Sequence, residues 1–314
     1  MKLYRLVAQY INYRQSLGQK FEGSAKLLRS FCKSVGASIN IGSISEDMIN
    51  KFLSGHSQGI TSLWFHKRSC LLGFYRYALA RHYVTVVPLP HILPKRPQDA
   101  PPYIYSQKEL GLIFDAALTY QKAKRQYSSY MVRAILMLTY ALGLRIHETL
   151  SIALKDIDMD SAVITVRDTK FYKSRLVPFN EQVKEVIAKY LQWRIKQEQP
   201  QFENSLLFMC KDGRACKGTE MDRIFRKVLT HAGIKRDGDS RHQPRIHDLR
   251  HSFAVHRLTG WYQEKKDVQQ LLPILSTYLG HSSIVHTQLY LTMTDELLRE
   301  ASERFEKYAM GEQQ

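Results

Sequence analysis

The sequence is poor in cysteine, in acidic residues and in long apolar runs. Its 314 residues include four scattered cysteines, Cys32, Cys70, Cys210 and Cys216, which argues against a disulfide scaffold and for a reducing compartment. Cys210 and Cys216 flank a turn, and no second Cys/His pair follows at zinc-ligand spacing, so we expect no metal site there. The sequence has no apolar run of membrane length and no apolar signal core at its N-terminus. We therefore expect a soluble, cytoplasmic protein.

The shortage of acidic residues leaves a large positive charge. Lysine and arginine together number 46 against 29 aspartates and glutamates, which gives a formal net charge of +17. Such an excess favours a polyanionic partner, most commonly nucleic acid. A merely basic soluble protein is the alternative, because basicity alone does not identify a ligand. The hydrophobic share of 44% is ordinary for a globular protein, and the length suits about two domains.

The hydrophobic pattern divides the chain into two domains joined by a proline-rich segment. Residues 1–83 show apolar side chains at helical spacing and predict a compact helical domain. Residues 84–105 contain six prolines and few apolar anchors, which indicates an extended linker. Residues 106–314 begin with a capping-box pattern at Ser106 and Glu109 and end with a further apolar helix. We expect this second domain to contain most of the chemistry.

The periodicity changes from helical to alternating in the middle of the second domain. Residues 162–166 and 175–179 are typical of the two strands of a β-hairpin, and the basic loop between them contains Lys170 and Lys173. Helical spacing returns after the hairpin. The predicted fold class is therefore mainly α with a small β-hairpin or sheet, in which a helical domain precedes a mixed α+β domain.

Six residues of the second domain are suited to bind and attack a phosphodiester. They are Arg145, Lys170, His247, Arg250, His281 and Tyr290. Guanidinium stays protonated and matches two non-bridging phosphate oxygens, so Arg145 and Arg250 would clamp the phosphate. His247 precedes Arg250 by three positions and would accept the tyrosyl proton or hold the phosphate, because an imidazole titrates near neutrality.

The other members of this set supply the acid and the nucleophile. Lys170 would protonate a leaving 5′-oxygen, with Lys173 as the alternative lysine. His281 follows Gly280 at a helix end and would add a hydrogen bond to the phosphate. Tyr290 would attack phosphorus and form a tyrosyl–phosphate ester, which preserves bond energy for religation. Because side chains supply the positive charges, this chemistry requires neither a metal nor an organic cofactor.

Each of these residues also has an ordinary structural interpretation. A single arginine usually forms a surface ion pair, a histidine often caps a helix, and Tyr290 is one of 18 tyrosines. A charged hairpin loop is usually just solvated. Their joint occurrence in one order favours the functional interpretation.

The order and spacing of these residues resemble the tyrosine recombinase (phage integrase) family. The similarity lies in four segments and the tyrosine that follows them, namely Gly143–Ile146, 170–178, His247–His251, Leu279–His281 and Tyr290. It covers most of residues 106–290, and residues 1–83 resemble the core-binding domain of that family more loosely. The sequence departs from the usual pattern at His147, where the family has a small residue, and between Trp261 and Leu275, which is a longer segment.

The resemblance implies a two-domain tyrosine recombinase clamp on double-stranded DNA, with a helical core-binding domain and a mixed α+β catalytic domain. It implies that the same six residues are catalytic, with Tyr290 as the nucleophile. It further implies a site-specific recombinase or integrase that acts through a 3′-phosphotyrosyl intermediate and a Holliday junction. Four copies would assemble on DNA at the nucleoid, with or without accessory or companion recombinases. The reaction would serve the integration, excision or transposition of a mobile element.

Two other functions fit the same features. A type IB topoisomerase-like nicking–closing enzyme would share the chemistry without joining two duplexes. A DNA-binding regulator would keep the fold without cutting, although the complete set of six residues argues against it. The sequence leaves open the target site and whether the C-terminal helix docks on its own chain or on a neighbour.

Overall fold

The chain folds into two compact units, Met1–Asp99 and Ala100–Gln314. The computed structural model describes residues 1–55, 59–97, 101–121, 126–167, 174–236, 243–281, 283–293, 297–299, 301–303 and 306. Leu89 is buried in the core of the first unit and Tyr105 in that of the second, so both ends of the proline-rich segment pack into a core. The domain boundaries at residues 83 and 105 stay a prediction.

The first unit is helical. Its helices are α1 (Leu3–Ser16), α2 (Glu22–Val35), α3 (Glu46–Ser54) and α4 (Ser62–Ala80), with a 3-10 turn at Ile41–Ser43. Ser45 and Thr61 each accept a backbone N–H of the following first turn, which satisfies a donor that the helix leaves free. Trp64, Phe74 and Tyr75 on α4 are buried, so these aromatic side chains serve the core rather than a base-stacking surface.

The second unit combines helices with a small antiparallel sheet. Its helices are α5 (Gln107–Thr119), α6 (Ser129–Ala141), α7 (Ile146–Leu150), α8 (Glu181–Lys196), α9 (Gly218–His231), α10 (Asp248–Gln263), α11 (Val268–Leu279) and α12 (Val285–Gln288). The 3-10 turns Leu154–Asp156 and Leu289–Thr292 complete the helical part. Ser106 and Glu109 form the predicted capping box of α5. None of the helices in the described part of the chain is long and apolar enough to cross a membrane.

The sheet has the order β1-β2-β3, with strands β1 (Ile157–Asp158), β2 (Val163–Val166) and β3 (Arg175–Pro178). Strands β2 and β3 form the predicted hairpin, in which Val163 pairs with Pro178 and Val166 with Arg175. Strand β1 adds an edge that the sequence pattern did not indicate. The predicted fold class, mainly helical with a small sheet, is confirmed.

A separate apolar cluster positions the C-terminal part of the second unit. It joins α10 and α11 to the turn that contains Tyr290, and it includes Leu297. Leu297 is fully buried, so the start of the predicted C-terminal helix packs on its own unit. Phe305 and Tyr308, which the sequence pattern places on the apolar face of that helix, lie outside the described residues.

Candidate active site

Arg145 is held at the start of α7 by a tight turn. Gly143 adopts φ +59°, and a Cβ there would lie 2.4 Å from Cδ1 of Phe253, so both backbone and space require glycine. The Arg145 side chain is 36% exposed. Its Nη1 donates to Glu148 Oε1 at 2.8 Å, and its Nη2 donates to the Gly280 carbonyl at 3.3 Å. Arg145 therefore reaches α11 while part of its guanidinium stays open to solvent.

Arg250 lies deeper, on the first turn of α10. Its Nη1 donates to the Gly143 carbonyl at 2.9 Å and its Nη2 to the Leu279 carbonyl at 2.6 Å. The side chain is 1% exposed, and burial, followed by the nearby charge of Arg145, lowers its pKa to about 10. The guanidinium still carries its charge at neutral pH. It joins the turn after α6 to the end of α11.

Glu148, which sequence reasoning missed, connects the cations. Its carboxylate accepts hydrogen bonds from Arg145 and from both terminal nitrogens of Arg175, and it lies 3.8 Å from Arg250 Nη1. Burial alone would raise the pKa of this carboxyl, but the hydrogen bonds and charges of Arg175 and Arg145 outweigh it and lower the pKa to about 2. The Arg145-x-x-Glu148 spacing was the available signal, since residues three apart share a helix face.

Arg175, on β3, fixes the end of α11 to the sheet. Its Nε donates to the Tyr278 carbonyl at 2.7 Å while its terminal nitrogens bind Glu148. Gly280 ends α11 in the left-handed region, and a Cβ there would lie 3.0 Å from Arg175 Nη1. The glycine thus admits the arginine and turns the chain toward His281.

Three histidines line the site. The rings of His247 and His251 meet edge to face with centroids 4.8 Å apart. His281 Nδ1 lies 2.8 Å from Thr287 Oγ1. Burial, followed by nearby positive charges, lowers the pKa of His251 to about 4 and that of His281 to about 3. The pKa of His247 is lowered in the same direction, although this side chain lies at the exposed edge of the site. All three imidazoles are therefore neutral at pH 7.

Tyr290 is buried among these groups, in the 3-10 turn after α12. Only 2% of the residue is exposed. Its hydroxyl lies 3.1 Å from His251 Nδ1, and its ring stacks on that of His281 with centroids 6.1 Å apart. Burial raises the pKa of the phenol, and the charges of Arg250 and Arg145 oppose that rise. The phenol is therefore neutral at pH 7.

The structure brings five of the six predicted residues into one connected set of contacts. These five are Arg145, His247, Arg250, His281 and Tyr290. The arginines share Glu148, the histidines and Tyr290 are joined through His251 and ring stacking, and Arg250 and Arg145 act on the Tyr290 phenol. Lys170 and its alternative Lys173 lie outside the described residues. Sequence reasoning assigned no role to Glu148, Arg175 or His251, although it quoted His251 beside Arg250.

The two departures from the family pattern are accommodated without displacing these groups. His147 fills the space beside Gly218, where a Cβ would lie 2.4 Å from its Cε1 atom. The longer segment from Trp261 to Leu275 forms the end of α10, a turn and most of α11.

Metal-ligating side chains do not gather in the described part of the chain. Cys210 and Cys216 are buried with their Sγ atoms 3.7 Å apart. Among the described residues, no three His, Cys, Asp or Glu side chains are grouped to hold a metal ion.

Comparison with known proteins agrees with this geometry. Residues 106–296, more than half of the chain, match the phage integrase family. The chain is 35% identical over 306 residues to the y4rB integrase/recombinase of Sinorhizobium fredii (strain NBRC 101917 / NGR234), which covers 96% of both proteins. It is 30% identical over 239 residues to the tyrosine recombinase XerC of Bacillus subtilis (strain 168), which covers 74% of this chain and 71% of that one.

The fold agrees with that of a solved recombinase. A lambda integrase tetramer bound to a Holliday junction superposes with a TM-score of 0.68 at 16% identity, over 94% of this chain and 78% of that one. The extent of these matches shows that the chain belongs to the phage integrase family and is a tyrosine recombinase, an enzyme that transfers DNA strands in site-specific recombination.

Proposed function

We propose that the protein cuts and rejoins double-stranded DNA at specific sites through a covalent 3′-phosphate link to Tyr290. The observation that supports this proposal is the position of the Tyr290 phenol. It contacts two imidazoles and lies in the field of two arginines, although an ordinary core tyrosine needs none of these partners. Such a site can bind a phosphodiester and attack it with the same set of side chains.

The arginines are the proposed phosphate ligands. Each terminal nitrogen of Arg250 has a second N–H beyond the one given to a carbonyl, and Arg145 has exposed N–H groups. These donors would bind the non-bridging oxygens, whose charge grows in the transition state. His247 at the exposed edge and His281 beside Tyr290 would complete the phosphate site, and Lys170 would protonate the leaving 5′-oxygen.

The neutral histidines make the site respond to its substrate. A phosphodiester carries one negative charge, and an opposite charge nearby raises the pKa of an imidazole. Binding of the phosphate would therefore increase the positive charge of the site at the moment when negative charge accumulates on phosphorus.

The remaining features extend the proposal to the whole reaction. We assign residues 1–83 to DNA binding, residues 106–314 to catalysis and the positive net charge to phosphate contacts along the duplex. Four copies would join two duplexes; the lambda integrase structure, a tetramer bound to a Holliday junction, supports an assembly of this size. The reaction would integrate, excise or transpose a mobile element at the nucleoid, in the cytoplasm, and companion recombinases are a further class of partner.

A nicked duplex that carries the cognate site tests the chemistry. After cleavage, the short fragment that carries the new 5′-hydroxyl diffuses away because of the nick. The covalent adduct then accumulates and is detected because it resists SDS. Tyr290→Phe should bind this duplex and form no adduct. Tyr130→Phe is the matched control, because it removes a hydroxyl from a half-buried tyrosine that stacks on Tyr190 away from the site.

The outcomes separate the three functions. An adduct followed by strand exchange between two duplexes supports the recombinase. An adduct with relaxation of supercoiled DNA and no exchange would favour a nicking–closing enzyme. Binding with no adduct from the wild-type protein would favour a non-cutting regulator.

The phosphate clamp has its own test. Arg145→Ala should slow single-turnover cleavage by more than about a hundredfold, the order expected when a preorganised charge donor is removed. Its loss should leave the fold intact, because Glu148 keeps both of its hydrogen bonds from Arg175. A rate equal to that of the wild type would contradict the clamp.

A further inference from the structure

The hydroxyl of Tyr290 has a hydrogen-bond partner to which the sequence assigned no role. His251 lies on α10 immediately after Arg250, and its Nδ1 is 3.1 Å from the phenolic oxygen. The two ring centroids are 5.6 Å apart with the planes tilted by 56°. This distance is within the range required of a group that takes a proton directly from a nucleophile.

The surroundings of His251 keep its imidazole neutral, so that a ring nitrogen has a lone pair available. Arg250 and Arg245 place positive charge near it, and Arg245 is itself paired with Asp248 at 3.1 Å. The ring of His251 contacts both the ring of His247 and the ring of Tyr290. A neutral ring that accepts from the phenol at Nδ1 must hold its proton on Nε2, so the free lone pair faces the nucleophile.

We infer that His251 is a catalytic residue that accepts the Tyr290 proton during cleavage, an assignment that rests on the function proposed above. The phenolic oxygen forms a bond to phosphorus as the bond between phosphorus and the 5′-oxygen breaks. The phenolic proton moves to Nδ1 of His251, and the 5′-oxygen takes a proton from the lysine of the hairpin loop. In religation the 5′-hydroxyl attacks phosphorus and returns its proton to the same lysine. The bond between phosphorus and the tyrosyl oxygen breaks, and the His251 imidazolium gives its proton to that oxygen.

This inference divides the work between two neighbouring histidines. His247 lies at the exposed edge of the site, where an incoming phosphate can reach it, and it meets the ring of His251 rather than the phenol. His251 is less exposed and contacts the nucleophile directly. Phosphate binding thus belongs to His247, and proton transfer belongs to His251.

The first test substitutes the imidazole by an amide. Asparagine in His251→Asn can accept a hydrogen bond from the phenol but cannot take its proton at neutral pH. Cleavage of the nicked duplex in a single turnover should slow by about a hundredfold or more, as expected for the loss of a general base. DNA affinity should change little. His256→Asn is the matched control, because His256 lies on the same helix and contacts Tyr140.

The second test changes the acidity of the nucleophile. A difluorinated tyrosine at position 290 has a more acidic phenol and depends less on a base. The rate increase caused by this analogue should be about tenfold or more larger in His251→Asn than in the wild type. The reason is that a more acidic phenol needs less help from a base. His247→Asn with the same tyrosine analogue should show no such recovery.

These measurements distinguish the inference from the function on which it depends. A wild-type protein that forms no adduct refutes the proposed function itself. An active wild type with His251→Asn cleaving at a similar rate refutes the role of His251. A slow His251→Asn with no preferential recovery by the fluorinated tyrosine would mean that His251 only positions the phenol, which also overturns the assignment.

Discussion

Replacing Glu148 by glutamine removes a buried negative charge that three arginines share. The carboxylate lies 2.8 Å from Arg145 Nη1, 2.8 Å from Arg175 Nη2 and 3.8 Å from Arg250 Nη1. Its pKa falls from the ordinary 4.5 to about 2, which corresponds to about 3 kcal/mol of net stabilisation of the charged form. Leaving buried charges without their partner costs a similar amount, about 3–5 kcal/mol. We therefore expect Glu148→Gln to lower the free energy of unfolding by about 3 kcal/mol.

Urea unfolding followed by tryptophan fluorescence measures this change. Trp64 lies in the first unit, whereas Trp193 and Trp261 lie in the second, so a Trp64→Phe background makes the signal report the second unit. Glu185→Gln is the control, since its carboxylate forms an exposed pair with a lysine one helical turn away. Exposed pairs of this kind contribute little, so the control should unfold as the wild type does.

The pH dependence gives an independent check. Because the pKa of Glu148 in the folded chain lies below 4.5, its contribution is complete above about pH 4.5 and disappears as the pH falls through about 2. The difference in stability between wild type and Glu148→Gln should therefore shrink as the solution is acidified. A difference below about 1 kcal/mol at neutral pH, or one that does not depend on pH, would refute the account of this carboxylate.

Three further predictions follow from the same geometry. Gly143→Ala should lower the free energy of unfolding by about 2–4 kcal/mol, because the added Cβ would strike Phe253 in a left-handed turn. Gly233 is also left-handed but has open space around it, so Gly233→Ala should lower the free energy of unfolding by only about 1 kcal/mol in the same urea titration. Gly218→Ala should displace the His147 ring and lower the thermal midpoint, and the added change His147→Ala should restore it. DNA affinity, measured by fluorescence anisotropy, should fall about tenfold or more between 50 and 200 mM salt; a flat profile would contradict a phosphate-dominated interface.

Features set by short stretches of sequence were predictable. The cap at Ser106 depends on a side chain and a backbone N–H three residues on, and it formed as expected. The hairpin of β2 and β3 followed from alternation of apolar residues. The short edge strand β1 spans two residues, too few to show a period.

Features that depend on distant contacts were not predictable in the same way. Glu148 meets Arg175 across 27 positions, and His251 meets Tyr290 across 39. Helical periodicity indicates only that Glu148 is a polar residue near the start of a helix. In the sequence, these residues are only a glutamate three positions after an arginine and a histidine next to an arginine. Both patterns are common, so a role in the site is recognised only from the contacts in the folded chain.

The position of Glu148 explains how the proposed phosphate site can be formed in the folded chain without a ligand. Arg145, Arg175 and Arg250 repel one another, and burial makes each charge more costly. A single carboxylate with two oxygens pairs closely with Arg145 and Arg175 and lies within 4 Å of Arg250. Backbone carbonyls accept one N–H group from each terminal nitrogen of the buried Arg250. The site still carries net positive charge after this pairing, so it remains attractive to a phosphodiester. The carboxylate holds the cations in place without neutralising them, and this balance allows the proposed phosphate site to be preorganised in a stable fold.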